Sequence, residues 1–371
     1  MGRLRICQLI TELQPAGAER IVYELARRLD PARFEVEVVG LRGGAVVDWL
    51  KEANVLVTVI GVKSKHDVWA LGRLTDFLRQ GRFDLLHTHL FHADLAGRLA
   101  ARRAGIPHLI HTIQIAEARF RPWQFAFARW MAGRCDKIVC ASHGVMIHHS
   151  RKAKLSLDHY QVIYNGIDLE TYVFRPDHRA YFRRLWGVAE NVPVLVFVGR
   201  LNYQKNLPLF LHACEVIRQE REIHAVIAGD GPERHLVEKF LASGGHDAWC
   251  HWLGCVDNVP AVLSASDVFV LPTRWEGFCL AAAEAMAVGL PVVATNVAGL
   301  SEVVQDGVSG LLAKEGDLAG VLERLRRVLA DPALRESLRK AGRERVAEKF
   351  TIQQNVLEHE RLYEQVCATP A

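Results

Sequence analysis

Val194-Leu195-Val196-Phe197-Val198-Gly199-Arg200-Leu201-Asn202-Tyr203-Gln204-Lys205-Asn206-Leu207-Pro208 reads as an apolar strand, a polar loop and the opening of a helix. An unbroken apolar run, with no in-out alternation, belongs to a sheet covered on both faces, which is the parallel, doubly wound arrangement. The same unit recurs toward the C-terminus at His224–Ala228, His251–Leu253, Val268–Leu271, Pro291–Ala294 and Leu311–Ala313, with helical stretches between. Toward the N-terminus it recurs at Ile6–Ile10, Glu35–Gly40, Val55–Ile60, Leu85–His87, Leu109–Thr112, Lys137–Ala141 and Gln161–Tyr164. This βαβα rhythm predicts an α/β protein of two Rossmann-like domains.

A chain of 371 residues also exceeds what one hydrophobic core sustains. Asn165-Gly166-Ile167-Asp168 and the polar stretch to Arg179 read as a turn and linker, with Pro176 discouraging helix. The expected domains are 1–171 and 172–351, with a C-terminal helix over 352–371 packing back on the first. Two open α/β domains facing an interdomain cleft at their strand C-termini suit a sizeable polar ligand.

Hydrophobic residues make up 50% and charged residues 24% of the chain, which excludes disorder. No apolar run reaches the length of a membrane span, and Met1–Arg5 runs into Ile6–Ile10 without a secretory signal. A cytoplasmic location is expected. The eight cysteines contain no C-x-x-C and read as reduced core residues. Residues 1–180 carry 26 Lys and Arg against 18 Asp and Glu; residues 181–371 carry 20 against 24. No nucleic-acid-binding signature accompanies the basic half, so nucleic acid is not an expected partner, and an anionic membrane or a phosphorylated substrate remains.

Four segments carry candidate chemistry. Arg200 and Lys205, on the loop after Val194–Val198, suit a diphosphate, Arg by its planar fork and Lys as a point charge; a solvated basic loop is the alternative. Glu276-Gly277-Phe278-Cys279-Leu280-Ala281-Ala282-Ala283-Glu284 places two carboxylates around the start of a helix expected near Phe278. Glu284 faces inward among alanines, where a carboxylate needs hydroxyl or amide partners such as ribose, while N–H groups of Gly277, Phe278, Cys279 and Leu280 suit phosphate or sugar oxygens. Gly17, in Pro15-Ala16-Gly17-Ala18-Glu19-Arg20, lets backbone approach a ligand at a helix start. His87, His89, His92 and His111 follow strands; with His87 and His89 taken to point to opposite faces, three convergent metal ligands are not expected. No D-x-D triplet occurs, so no metal site is expected and cationic side chains must meet the phosphates.

In combination these motifs resemble the family 4 glycosyltransferases, retaining enzymes of the GT-B fold, over almost the whole chain. The most specific are Gly199-Arg200-Leu201 with Lys205-Asn206, Ala228-Gly229-Asp230-Gly231-Pro232-Glu233, and the E-x7-E pair Glu276 and Glu284. Pro291-Val292-Val293-Ala294-Thr295 with Gly299 and Glu302, Asn165-Gly166-Ile167-Asp168, and Gly17-Ala18-Glu19 add to them. The resemblance implies a metal-independent hexosyltransferase that moves a sugar with retention from a nucleotide-sugar donor, UDP- or GDP-linked, to a hydroxyl of a glycan or lipid-linked acceptor in polysaccharide or glycolipid synthesis. It needs no cofactor beyond that co-substrate. Arg200 and Lys205 would hold the diphosphate, Glu284 the ribose and Glu276 the donor sugar. Gly199, Gly277, Phe278, Cys279 and Leu280 would face the donor, and Gly17 the diphosphate. His89 would act on the acceptor side.

The sequence departs from the family where Ala16-Gly17 and Ala298-Gly299 replace double glycines, and where Gln114 stands in place of a histidine near the transferring sugar. Gln accepts and donates hydrogen bonds but carries no proton, so His111 or His89 is expected to substitute unless the histidine is dispensable. A GT-B sugar-nucleotide epimerase and a catalytically silent nucleotide-sugar binding protein are the rival readings. Last, residues 120–131 read as a helix with Phe120, Trp123, Phe127, Trp130 and Met131 on a core face. Phe125 would then lie among Arg121 and Arg129 on the other face, which is either solvated surface or a weak contact with an anionic membrane, peripheral on its inner face.

Overall fold

The structure, a computed structural model, describes residues 2–64, 67–116 and 120–369. It divides into two compact units. One runs through Gly166 and takes up the chain again from Ile352; the other is Ile167–Thr351. The division falls slightly before the expected 171/172, because Ile167 donates its N–H to Phe350 O at 2.8 Å and bridges Thr351.

In the first unit, strands β1 (Leu4–Glu12), β2 (Phe34–Arg42), β3 (Leu56–Val59), β4 (Leu85–His89), β5 (His108–Ile113), β6 (Lys137–Cys140) and β7 (Tyr160–Val162) form a sheet of order β3-β2-β1-β4-β5-β6-β7. In the second, β8 (Val194–Val198), β9 (His224–Ala228), β10 (Cys250–Trp252), β11 (Val268–Leu271), β12 (Val292–Thr295) and β13 (Leu311–Ala313) follow the order β10-β9-β8-β11-β12-β13. The strands of both sheets pair in parallel. Each order reverses once, between β1 and β4 and between β8 and β11, and the loops after those strands are where open α/β sheets bind ligands.

The helix Ile352–Cys367 completes the first unit. Its Ile352, Val356, Leu362, Tyr363 and Val366 cover Ile6, Leu85, Ile110 and Val139 of the sheet, each apolar side chain contributing about 1.5–3 kcal/mol by leaving water.

Two expectations about helices are corrected. Pro176 does not break a helix but opens one, Pro176–Leu185, because a helix's first residue needs no N–H donor. The helix over Pro122–Trp130 is turned away from the expected orientation, although Met131 at its end is buried as expected. Phe125 is 8% exposed, whereas Trp123 is 53% and Trp130 66% exposed. Phe125 packs against His149 of the neighbouring helix His143–Ala153, while Phe91 stacks edge-on with Phe120, Trp123 and Phe127 as a half-exposed aromatic cluster. A short helix with aromatics on both sides has no decisive apolar face from which to read its orientation. All eight cysteines are free, with Cys255 exposed rather than in the core.

Candidate active site

In the second unit the loops after β8 and β11 meet. Lys205 ends a 3-10 turn, Tyr203–Lys205, that Asn202 caps by accepting the Lys205 N–H at 3.2 Å. Its ammonium lies 2.6 Å from Glu276 Oε1, with both side chains largely buried. Burial works against the ammonium, but the Glu276 carboxylate, with Cys279 and Glu284 adding to it, outweighs burial and holds the Lys205 pKa above its usual value. Glu284 is buried on the helix Leu280–Val288. The structure thus brings Lys205, Glu276 and Glu284 together. Arg200 stands exposed on the same loop and has no partner of its own among the described residues.

The helix begins at Leu280 rather than near Phe278. Cys279 precedes it at φ +75° and no side chain caps it, so its first N–H groups lack the usual cap. A cysteine in the left-handed region is strained by about 1–3 kcal/mol. Its thiol pKa is pushed up to about 12, chiefly by burial, so it is no nucleophile at neutral pH. Glycine is required at two approaches. Gly229, at φ +148°, lies where a Cβ would strike Gly199 O, and Gly299, at φ +83°, where it would strike Gly277 O. Gly199, at φ +154°, has the Lys205 stem beside it at ordinary contact distance, 3.5 Å from its Cβ position to Cε.

In the first unit Gly17 opens the helix Gly17–Arg28 after β1, exposed. The histidines of β4 and β5 sort differently from expectation. His87 and His89 share a face, with ring centroids 4.1 Å apart, because side chains two apart on a strand point the same way; placing them on opposite faces was wrong. His87 is held by Tyr363 Oη at 2.7 Å and Thr112 Oγ1 at 2.6 Å. His111 lies on the other face, next to Thr88 in register, and its Nδ1 is 3.1 Å from Thr88 Oγ1 and 3.3 Å from Asp94. Asp94 in turn pairs with buried Arg98 at 2.7 Å. His111 is therefore committed to structure. His92 is exposed.

His89 differs from these. It is 1% exposed, yet among the described residues neither ring nitrogen has a partner, and the same holds for both amide atoms of Gln8, across from His87 on β1. Leu90, directly after His89, sits at φ +68°, a conformation costly for a bulky residue. Gln114 is half-buried and its Oε1 accepts from Asn165 Nδ2 at 3.0 Å, so its own amide donors turn elsewhere. Sequence reasoning missed Gln8, Asn165 as the partner of Gln114, and Gln204, whose amide reaches Trp275 O and Glu276. All three depend on which strands become neighbours.

The histidines under the C-terminal helix also set an acid limit. Burial pushes the His87 and His89 pKa values well below 6.5, and His359 down to about 4. The unfolded chain then binds protons that the folded one refuses, so stability is complete above about pH 6.5 and is lost as pH falls toward 4. The unfolding free energy from urea titrations should fall below pH 6.5 with a slope of about 1.4 kcal/mol per pH unit for each such histidine; a flat profile from pH 7 to 5 would contradict the burial.

Residues 15–171 match the family described as Glycosyltransferase Family 4, and residues 179–345 the family described as Glycosyl transferases group 1. The chain is 31% identical over 314 residues to an alpha-maltose-1-phosphate synthase of Mycobacterium tuberculosis, covering 76% of this chain and 79% of the relative. It is 28% identical over 364 residues to the Escherichia coli UDP-Gal:alpha-D-GlcNAc-diphosphoundecaprenol alpha-1,3-galactosyltransferase, covering 94% and 93%. In fold it is similar to Anabaena HepE, solved in complex with UDP and glucose, with a TM-score of 0.88 at 20% identity over 98% of this chain and 100% of that one. With both units matched in order, the chain belongs to the family 4 glycosyltransferases of the GT-B fold.

Proposed function

We propose that this glycosyltransferase takes its sugar from a UDP-linked donor and delivers it, with retention, to a hydroxyl of a lipid-linked glycan precursor. The observation that carries the reading is the buried Lys205–Glu276 pair, with the Glu284 charge beside it, at the reversal point of the second sheet. Support for the donor comes from the galactosyltransferase relative, named for UDP-Gal and a diphosphoundecaprenol acceptor, and from the UDP complex of HepE. Arg200 and Lys205 neutralise the diphosphate as the sugar–phosphate bond breaks, and fixed cations supply that stabilisation without a metal. Glu284 holds the ribose and Glu276 the donor sugar, while Gly199, Gly277, Phe278, Cys279 and Leu280 present backbone to the donor. The departing phosphate takes the acceptor proton. In the first unit, His89 and Gln114 serve the acceptor.

Incubation with UDP-, GDP- and ADP-sugars tests this, with free nucleoside diphosphate measured in the presence and absence of a lipid-diphosphate-linked sugar. Release of UDP that rises with acceptor is expected. Interconversion of the donor sugar, or binding without turnover, would overturn the reading.

The finer location is the inner face of an anionic membrane, held peripherally. Among the described residues no helix is long and apolar enough to cross a membrane. Exposed Trp123 and Trp130 stand among exposed Arg121, Arg129 and Arg134, a mix of interfacial aromatics and cations that suits anionic headgroups. Replacing both tryptophans by alanine should cut co-sedimentation with phosphatidylglycerol vesicles several-fold, and undiminished pelleting would reject this contact.

A further inference from the structure

The buried pair at Lys205 poses a problem. If Lys205 turns its ammonium toward a diphosphate, Glu276 loses the partner of Oε1, and a carboxylate this buried then needs another donor to keep its place and its charge. Gln204 stands next to Lys205 on the same 3-10 turn and is itself buried. Its Nε2 donates to Trp275 O at 2.8 Å and reaches Glu276 Oε2 at 3.4 Å. Its backbone carbonyl accepts from Thr273 Oγ1 at 2.9 Å and from the Arg274 N–H at 2.8 Å. One residue of the β8 loop is thus fastened to Thr273, Arg274, Trp275 and Glu276, the whole approach to the carboxylate after β11.

We infer that Gln204 is a positioning residue for Glu276: its neutral amide holds the second carboxylate oxygen, so that Glu276 stays in place and ionised while Lys205 serves the phosphates. A cation here would neutralise the carboxylate, and an apolar side chain would leave it to swing; an amide donates a hydrogen bond without adding charge. The inference rests on the reading that Glu276 serves the donor sugar. Its distinguishing feature is the neutral donor, because the ion pair alone would fix only Oε1.

The test compares Gln204→Met, which keeps the length and removes the donor, with Gln204→Glu, which sets a second carboxyl against Glu276. UDP-glucose is the donor probe, or whichever UDP-, GDP- or ADP-sugar shows turnover in the screen above. Gln204→Met should lower kcat about tenfold with donor KM within about twofold, the pattern of an interaction that matters mainly in the transition state. Gln204→Glu should be slower still at pH 8, where two carboxylates repel, and should recover several-fold toward pH 5.5, where the introduced carboxyl takes a proton and donates as the amide did. Thermal melting monitors folding of each. Unchanged kcat in folded Gln204→Met, or losses in both variants with the wild-type pH profile, would overturn the inference. Should Gln204→Met fail to fold, the acid recovery of Gln204→Glu decides alone. Glu276→Ala separates the two levels: inactivity there with normal Gln204→Met defeats only the positioning role, whereas full activity of Glu276→Ala defeats the reading beneath it as well.

Discussion

Lys205→Ala should lower turnover by about 10²–10³-fold, the range found when one preorganised group that stabilises developing charge is removed, and should also destabilise the second unit. The second effect follows from the 2.6 Å contact with Glu276. Removing one partner of a buried pair leaves an uncompensated charge and costs about 3–5 kcal/mol. The two effects separate in the double variant Lys205→Met/Glu276→Gln, which removes both charges at nearly constant volume. Its unfolding midpoint should return most of the way to wild type while its turnover stays low. Full UDP release by folded Lys205→Ala would remove Lys205 from the leaving-group role. A double variant as unstable as the single one would show that the ion pair is not what stabilises the loop.

The second large effect is expected at Gly299, before the short helix Leu300–Val303. Its φ of +83° is unfavourable for any L side chain, and an added methyl would meet backbone, the carbonyl of Gly277, with Glu276 O 3.2 Å away. Backbone cannot swing aside as a long side chain does. Gly299→Ala must then bear about 1–3 kcal/mol of conformational strain and push the Glu276–Gly277 segment out of place. Because misplacement by about 1 Å can cost 10²-fold in rate, turnover should fall by about 10² and the unfolding midpoint should drop. Gly72, exposed on a helix with nothing within 4 Å of its Cβ position, provides the control: Gly72→Ala should leave activity unchanged. Equal behaviour of the two variants would remove Gly299 from any role in shaping the loop.

Much of this was legible in the sequence because the informative residues are consecutive. A strand and the loop that follows it are contiguous, so Val194–Val198 with Arg200 and Lys205, or Val268–Leu271 with Glu276, can be read as units, and the core strands of both sheets stand close to where the apolar runs place them. What was illegible depends on partners distant in sequence. Nothing local announces that Lys205 and Glu276 pair, that Gln204 reaches across to Trp275, or that Gln114 is fixed by Asn165. The helix Pro122–Trp130 reads inside out from sequence because its orientation is decided by His149 and Phe91, which lie outside it. The histidines of β4 were a different failure, since the strand period of two places His87 and His89 on one face without any tertiary information.

The helix Ile352–Cys367 belongs to the first unit although the whole second unit precedes it in the chain. On a ribosome, where residues emerge in order at about 5–20 per second, the later unit is complete while the earlier one still exposes Ile6, Leu85 and Ile110 to the surrounding water. Biogenesis therefore runs against numbering: the half that is made first matures last, and in the interval its bare apolar sheet is a natural client for chaperones.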